Sequence, residues 1–500
     1  MLTPDFLENC SKNIVEKYSE LERRIIRDVA RRIAGADFQM TESAKWQIKV
    51  AQEAGLLYDD IISQVAIYTN NTKSEIKKLF EDSAIESIKV DDDIYKKVGL
   101  NPIPLKQNKV LLNVLLNGLN KTNGIMYNLT QTTAQTTSDT FISILDNAYM
   151  QISSGAFDYN TTIIKVINEL ADNGVKIINY KNGRQDKLEV AVRRTLITGV
   201  NQTSAKMQES RADEMDSDLV ETTAHAGARP SHASWQGKVF SRSGKNKKYP
   251  NFVESTGYGT AGGLCGINCN HNFYPFFEGI SKRAYTDDEI DKYNEKNITY
   301  NGKQYTKYEA TQIQRSLERN IRADKRQIVA NQGAILGTKE DDLKEVLKVE
   351  MSKSSVILKQ DEIKLKQFIE QTKLSRDSSR EQIAGWNRIS SRKAINVNRN
   401  YDNIKKEFIG IKIKDVEIKD VSLHFAVERM IERGITIEKA KDALINPLKC
   451  GKIRVDGTQQ VIGEFATVVI NTKTGNVVST WATGTKKAER LKKLKGENKK

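Results

Sequence analysis

The sequence is poor in the residues that build disulfide scaffolds and membrane anchors. It has four cysteines and seven prolines in 500 residues, which excludes a small secreted disulfide framework. No stretch approaches the roughly 18 apolar residues that span a bilayer, so we expect no membrane partner. The N-terminal stretch MLTPDFLENCSKNIVEK has acidic residues and no apolar core, and it therefore predicts no secretory signal. We expect synthesis in the cytosol.

Negative charge is also scarce. The chain has 79 Lys and Arg against 64 Asp and Glu, a net charge of +15, which suits a nucleic-acid partner. The last fifteen residues, KKAERLKKLKGENKK, hold eight basic and two acidic residues, so 8 − 2 = +6 of that charge lies there. We predict a basic disordered tail at 486–500, which is either a solubilising end or a phosphate-binding arm.

The length of the chain exceeds what one hydrophobic core usually organises. The predicted fold class is mainly α with α+β portions. The predicted segments are a helical N-terminal domain at 1–175, a loop- and strand-rich Cys/His core at 176–281, a charged helical or coiled connector at 282–410, a small α+β domain at 411–485 and the basic tail.

Helical spacing dominates the N-terminal segment. Apolar residues recur every three to four positions over residues 6–33, which predicts one amphipathic helix. VLLNVLLNGL predicts a buried helix, whereas TQTTAQTTSDTF is either a loop or a threonine-lined helix face. YKNGRQDK signals a turn at the entrance to the Cys/His core.

Capping and strand signals follow residue 281. Thr286 with Glu289 three residues later forms a capping box. Near the C-terminus, HFAVERMIERG and TIEKAKDALINP predict two helices, followed by strands in KIRVDG and TQQVIGE and by a hairpin around Thr474 and Gly475. This order is typical of a small α+β domain.

Most of the metal-capable residues fall in one window. Cys265, Cys269 and His271 form C-x-x-x-C-x-H in AGGLCGINCNHNFYPF, and His225 and His232 lie about forty residues upstream. Thiolates and imidazoles at this spacing can hold zinc in a closed tetrahedral site. Alternatively, the cysteines are small buried residues and the histidines hydrogen-bond within turns. If no metal binds, a disulfide between the two cysteines is the remaining account, formed outside a reducing compartment.

The sequence lacks the complete motifs that two other functions require. Gly257, Gly259 and Gly262 spell G-x-G-x-x-G, but neither a buried strand before them nor a helix after them completes a dinucleotide site. A zinc-dependent hydrolase needs an open ligand position and a general base, and the sequence has no H-E-x-x-H element.

HAGARPSHASWQGKVFS followed by GYGTAGGLCGINCNHNFYPFFEGIS resembles the minor capsid protein 2 family, head proteins of tailed phages that infect Gram-positive bacteria. It is more remotely similar to the phage head morphogenesis family. The resemblance spans about residues 1–280 and is densest over 192–281, although Asn270 stands where that family commonly has arginine. It implies a low-copy virion protein, made in the host cytoplasm, whose partners are the portal, other head proteins and packaged DNA.

The C-terminal helix SLHFAVERMIERG carries groups suited to RNA cleavage. At helical spacing His424 and Glu428 share one face, and Arg429 and Arg433 share another. Cleavage without a metal needs a base, an acid and a cation near the phosphorane. The alternative interpretation is a salt-bridged surface helix with no catalytic role.

A second resemblance points the same way. SLHFAVERMIERGIT and VVINTKTGNVVSTWATG resemble the phage-associated nuclease domains of the barnase, EndoU, colicin and RelE-like group, which work without a cofactor. The resemblance implies catalytic roles at five positions, which are His424, Arg429, Arg433, Thr480 and Trp481. We therefore expect a phage minor capsid protein with a C-terminal ribonuclease domain acting on host RNA. Alternatives are a ribonuclease toxin, or a nucleic-acid-binding effector, that uses the capsid-like region as its carrier.

Overall fold

The computed structural model describes residues 2–36, 43–154, 157–179, 185–383, 386, 388–430 and 433–497. Helices predominate and the strands form small sheets, which confirms the predicted fold class. The first helices are α1 Pro4–Asn9, α2 Lys12–Ala34, α3 Ser43–Lys97, α4 Lys109–Ser153, α5 Tyr159–Asn173, α6 Leu188–Glu214, α7 Pro230–Ala233 and α8 Phe252–Thr256. The later helices are α9 Asp287–Asn294, α10 Lys307–Gly337, α11 Asp341–Thr372, α12 Arg388–Phe408, the π-helical α13 His424–Arg429, α14 Ile437–Ile445 and α15 Thr485–Glu497.

The strands are short and lie in separate sheets. Those before α10 are β1 Lys176–Asn179, β2 Gln185–Lys187, β3 Leu219–Thr222, β4 Val239–Ser241, β5 Phe273–Pro275, β6 Ile298–Tyr300 and β7 Lys303–Tyr305. Those after α12 are β8 Lys412–Ile413, β9 Val416–Glu417, β10 Asp420–Val421, β11 Lys449–Cys450, β12 Thr458–Ile462, β13 Ala466–Asn471 and β14 Asn476–Ala482. Five residues of the predicted turn YKNGRQDK, 180–184, lie outside the described residues, and β1 and β2 pair antiparallel around them.

The N-terminal helices share one large core. The predicted helix over residues 6–33 is two helices, α1 and α2, because a turn at residues 10–11 interrupts it. Its predicted apolar stripe from Ile14 to Ile33 is buried. TQTTAQTTSDTF lies within α4, with Thr133 and Thr137 buried, so the helix-face interpretation is confirmed. VLLNVLLNGL is also helical, but Leu116 is exposed, so only one face of it is buried.

The charged segment after residue 281 packs onto this core. The predicted capping box at Thr286 is present at the start of α9. Helix α10 lies against α2 so closely that a Cβ at Gly337 would stand 2.0 Å from the Arg31 carbonyl oxygen. Ala334 of α10 and Leu343 of α11 belong to the same hydrophobic cluster as the N-terminal helices. The predicted boundary at residue 282 therefore does not separate two cores.

The middle of the chain forms a three-stranded antiparallel sheet in the order β4-β3-β5. Its aromatic core contains Phe240, Phe252 and Phe273, together with Cys265 and Cys269. The sheet contacts α6. The glycine-rich segment before β5, residues 257–272, lies between the sheet and that helix and is called the Cys/His loop below.

The C-terminal sheet has the order β10-β14-β13-β12-β11, with β10 parallel to β14 and the other pairs antiparallel. The predicted hairpin is β13 and β14. The predicted strand KIRVDG is wrong, because residues 452–457 form the turn before β12. In that turn the Arg454 amide donates to the Thr458 carbonyl at 2.8 Å and Val455 is fully exposed.

The basic tail differs from the expected disordered arm. Residues of high helix propensity, mainly Lys, Ala, Leu, Arg and Glu, form α15, Thr485–Glu497. Ala488 is buried and Lys492 pairs with Glu464, which anchors the helix to the C-terminal domain. Residues 498–500 lie outside the described part of the chain. None of the helices in the described ranges is long and apolar enough to cross a membrane.

Candidate metal centre and candidate nuclease site

Three of the five predicted metal ligands lie together in the interior. His232 is on the short helix α7, and Cys269 and His271 precede strand β5. The Nδ1 atoms of the two histidines are 3.4 Å apart, and the Cys269 sulfur is 3.8 Å from His232 Nδ1 and 3.7 Å from His271 Nδ1. All three residues are at most 2% exposed.

These separations match the coordination geometry of zinc. With bonds of about 2.0–2.1 Å to nitrogen and about 2.3 Å to sulfur, tetrahedral ligands stand about 3.3 Å apart for two nitrogens and about 3.6 Å for nitrogen and sulfur. The observed distances differ from these by at most a few tenths of an ångström. The three side chains can therefore hold one metal ion with little movement.

The outer nitrogen of each imidazole is already engaged. His232 Nε2 donates to the Gly262 carbonyl at 2.8 Å. His271 Nε2 donates to Gln236 Oε1 at 3.2 Å, and the same oxygen accepts the His225 amide at 3.1 Å. These contacts fix the tautomer that leaves Nδ1 without a proton, which is how metal-binding histidines are commonly oriented.

Electrostatics favour a cation between the two rings. Burial lowers the pKa of both His232 and His271, and the neighbouring histidines lower that of His271 further. Both rings are therefore neutral at pH 7, and their Nδ1 lone pairs face each other. Burial also raises the pKa of the Cys269 thiol, whose sulfur accepts the His271 amide at 3.4 Å. A metal ion held by these three residues would displace the thiol proton and would offset the repulsion between the two lone pairs.

The other two predicted ligands make different contacts. His225 packs against His271 with ring centroids 4.4 Å apart and ring planes tilted by 36°, but its Nδ1 lies 3.2 Å from the Ala226 carbonyl. Cys265 directs its sulfur to the His271 carbonyl at 3.5 Å. Neither belongs to the group of three whose donor atoms lie within 4.8 Å of one another. All four cysteines are free.

Residues outside the motif hold the loop in place. Asn201 of α6 is fully buried and donates to the carbonyls of Cys269 and His271 at 2.9 and 3.0 Å. Arg229 donates to the Ile267 and Asn268 carbonyls. The C-x-x-x-C-x-H spacing does not reveal these residues, because their contacts join positions up to 70 residues apart. The available signal was a polar residue at a buried position of the helical period of α6.

Two of the three glycines of the G-x-G-x-x-G match, Gly257 and Gly259, have positive φ. Gly257 ends helix α8 in the left-handed conformation with φ +63°, where glycine is favoured. No described helix begins after Gly262 before α9, so the exclusion of a dinucleotide site is consistent with the fold.

The C-terminal candidates form a cluster at the start of α13. His424 Nδ1 lies 2.6 Å from Glu428 Oε2, and Arg429 Nε donates to His424 Nε2 at 3.0 Å. Lys353 of α11 pairs with Glu428 at 3.0 Å. Burial raises the pKa of Glu428, but hydrogen bonds from Lys353 and His424 outweigh it and lower the pKa below its ordinary value. His424 remains 40% exposed and can reach a solvent-borne substrate.

The two predicted residues of strand β14, Thr480 and Trp481, differ in burial and in direction. Thr480 is buried and its hydroxyl donates to the Thr467 carbonyl, while its own carbonyl accepts a bond from Arg433. Trp481 is half-buried and follows Thr480 on β14, so the two side chains point to opposite faces of the sheet. His424, Glu428 and Arg429 thus contact one another, whereas the hydroxyl of Thr480 is used inside the sheet and Arg433, although exposed, contacts the Thr480 carbonyl.

Comparison with known proteins gives one family. The family model described as Phage minor capsid protein 2 matches residues 2–370. A structural protein of Lactococcus phage LL-H is 25% identical over 302 residues, which cover 57% of this chain and 77% of that protein. A structural protein of Lactococcus phage mv4 is 38% identical over 85 residues, covering 17% of this chain and 59% of that protein. No solved structure matches the chain.

Proposed function

This chain belongs to the phage minor capsid protein 2 family and is a structural protein of the virion, and we propose that it is a low-copy minor head protein near the portal. The family match over residues 2–370 carries the proposal, since it includes the whole N-terminal helical core and the Cys/His loop. The net charge of +15 favours contact with packaged DNA. Other head proteins are the expected protein partners.

Quantitative proteomics and cross-linking of purified virions test this location. We expect a few copies of the chain in each particle and cross-links from its lysines to the portal. Cross-links confined to the major capsid lattice would place it elsewhere in the head. A chain abundant in the lysate but missing from particles would favour the toxin alternative.

We further propose that the head region holds one zinc ion through His232 Nδ1, His271 Nδ1 and Cys269 Sγ. The support is the agreement of the three separations with tetrahedral coordination and the two fixed tautomers. The fourth ligand is Cys265 after a side-chain rotation, or water. Zinc supplies folding energy here rather than chemistry, because all three donors are buried.

Elemental analysis of the full chain, purified without chelators, tests the zinc proposal. We expect about one zinc per chain in wild type and in the matched control Cys10→Ser, and very little in Cys269→Ser. Cys265→Ser distinguishes the fourth ligand, since strongly reduced zinc retention in that variant means a thiolate and unchanged retention means water. Equal zinc content in Cys269→Ser and wild type would contradict the assignment.

For the C-terminal domain we propose RNA cleavage without a metal. In this reaction the 2′-oxygen attacks phosphorus, the bond to the 5′-oxygen breaks, and a cyclic phosphate and a 5′-hydroxyl form. The supporting observation is the exposed His424, with Glu428 on Nδ1 and the Arg429 guanidinium on Nε2. In the free protein Arg429 donates to Nε2, so the substrate phosphate must first draw the guanidinium away from the ring. The freed Nε2 lone pair then takes the 2′-proton, the protonated ring returns it to the leaving oxygen, and Arg429 offsets the phosphorane charge. The π-helical turn is a form frequent at functional sites.

Incubation of the full chain with total host RNA and EDTA tests this domain. We expect cleavage that His424→Ala lowers by about 10²–10⁴-fold, while the exposed-lysine control Lys452→Ala retains activity. Intact RNA at high protein concentration would leave the nucleic-acid-binding alternative. Cleavage unchanged in His424→Ala would mean that another residue is the base.

A further inference from the structure

A small basic pocket lies beside the Cys/His loop, at the junction of α1, α2, α6, α10 and residues 377–380. Its volume is about 260 Å³. Asn268 and Asn270 of the loop form part of its wall. The charged lining comprises six cationic side chains, Lys12, Arg193, Arg315, Arg319, Arg322 and Arg380, and three carboxylates, Glu8, Glu318 and Asp377. The lining therefore carries 6 − 3 = +3 charges.

Only some of these cations form ion pairs with the carboxylates of the pocket. Arg380 pairs with Glu8 and lies 3.6 Å from Asp377, which also pairs with Lys12 at 2.8 Å. Arg322 pairs outside the pocket lining, with Glu189 at 3.2 Å. Two of the three lining carboxylates, Glu8 and Asp377, thus pair with Arg380 and Lys12, and the third, Glu318, accepts a hydrogen bond from Gln314.

Arg193 and Arg315 stand apart from these pairs. Within the part of the chain that the structure describes, neither makes an ion pair with a carboxylate. Burial is the main cause that lowers the pKa of both guanidinium groups. For Arg193, the nearby Glu189 opposes this shift while Arg322 adds to it. For Arg315, Arg380 adds to the shift and Glu8 and Glu318 oppose it, and in both cases the pKa remains lowered. Cations that are half-buried and crowded by like charge are unfavourable unless an anion completes the site.

We propose that this pocket binds a phosphate group through Arg193 and Arg315. Planar guanidinium groups bond bidentately to phosphate oxygens, and a phosphate presents several oxygens to donors from different helices at once. A free phosphate carries a charge of about −1.5 to −2 and a backbone phosphodiester about −1, so either offsets part of the +3 of the lining. The asparagine amides at the loop edge supply further donors. The inference does not depend on zinc binding or on RNA cleavage.

The phosphate has two possible sources with the same chemistry, a free small phosphate and the backbone of nucleic acid. Calorimetric titration of the full chain with inorganic phosphate and, separately, with a short duplex DNA at constant ionic strength distinguishes them. Binding of both ligands, with phosphate displacing DNA, assigns the pocket to a backbone phosphate. Saturable phosphate binding that leaves DNA binding unchanged assigns it to a free phosphate.

The double variant Arg193→Gln/Arg315→Gln tests the residues against the matched control Lys245→Gln/Lys247→Gln, which removes the same charge from an exposed loop. We expect the affinity for inorganic phosphate to fall at least about tenfold in the first variant and to remain in the control. Equal binding by both variants, or no binding by wild type, would overturn the proposal.

Thermal unfolding without phosphate excludes a purely structural role for the two arginines. We expect the double variant to unfold at the same temperature as wild type or higher, because it loses two crowded like charges. Added phosphate should then raise the melting temperature of wild type and the control but not of the double variant. A lower melting temperature of the double variant in phosphate-free buffer would mean that the arginines stabilise the fold through protein contacts, and would overturn the proposal.

Discussion

The two histidine clusters of this chain differ in burial. His232 and His271 are buried with their outer nitrogens bonded to protein, so their free nitrogens face only each other and Cys269. His424 is 40% exposed, with a carboxylate on one nitrogen and a guanidinium on the other. The first arrangement suits an ion that stabilises the fold. The second suits a substrate that arrives from solvent, and the same residue type thus has two roles set by its surroundings.

The largest expected effect is the loss of the buried centre. Cys269→Ser, or a strong chelator added to wild type, should lower the free energy of unfolding by on the order of 3 kcal/mol or more. RNA cleavage should persist in the chelator as long as the C-terminal domain stays folded. Denaturant titration with and without chelator measures the first effect, and an unchanged midpoint would show that no bound metal stabilises the fold.

Loss of the Asn201 side chain, which clamps the Cys/His loop through two hydrogen bonds, should have the next largest effect. Asn201→Ala leaves the Cys269 and His271 carbonyls without their buried donor and should cost about 1–3 kcal/mol. Zinc affinity should fall as well, because the ligands lose their support. Thr198→Ala is the control, since Thr198 makes only a 3.4 Å contact to the Asn268 amide. Similar destabilisation by the two variants would show that Asn201 is not a specific clamp.

Asp324 tests whether burial also controls the pKa of a carboxyl group and, through it, the stability of the fold. Burial and the nearby Asp361 raise the pKa of Asp324 to about 7. The folded state therefore holds this proton more tightly than the unfolded chain, and stability falls as pH rises from about 4 to about 7. Asp324→Asn should recover part of the roughly 4 kcal/mol that ionisation of this buried carboxyl costs at pH 8, on the order of 2 kcal/mol, with the gain gone near pH 4. Unfolding at the two pH values measures this, and a variant gain independent of pH would contradict it.

Glu428 should behave in the opposite way with a smaller effect. Its pKa is lowered because the bonds from Lys353 and His424 outweigh burial, so its contribution is present above about pH 4.5 and is lost as pH falls through the lowered pKa. Glu428→Gln should cost about 0.5–1 kcal/mol at pH 7, and this cost should shrink as pH falls below about 4.5. Its effect on cleavage should exceed its effect on stability, since His424 loses its orienting partner. A variant with full activity would weaken the proposed role of this cluster.

Local features of the fold were predictable from sequence where neighbouring residues decide them. The apolar stripe of α2, the capping box at Thr286 and the hairpin of β13 and β14 all depend on positions within a few residues. The strand predicted in KIRVDG failed because its alternation is too short to outweigh the turn that joins it to β12. The charge of the tail predicts disorder, but Thr485–Glu497 is helical because its residues have high helix propensity.

The sequence by itself determined which residues can bind a metal, since five cysteines and histidines cluster in one window. Tertiary structure alone decided that three of them converge, because strand pairing and the Asn201 clamp join positions far apart in the chain. It also decided that Arg193 and Arg315 share a pocket, since they lie on different helices and no motif relates them. Residue chemistry is local, whereas the distance between two side chains depends on how the whole chain packs.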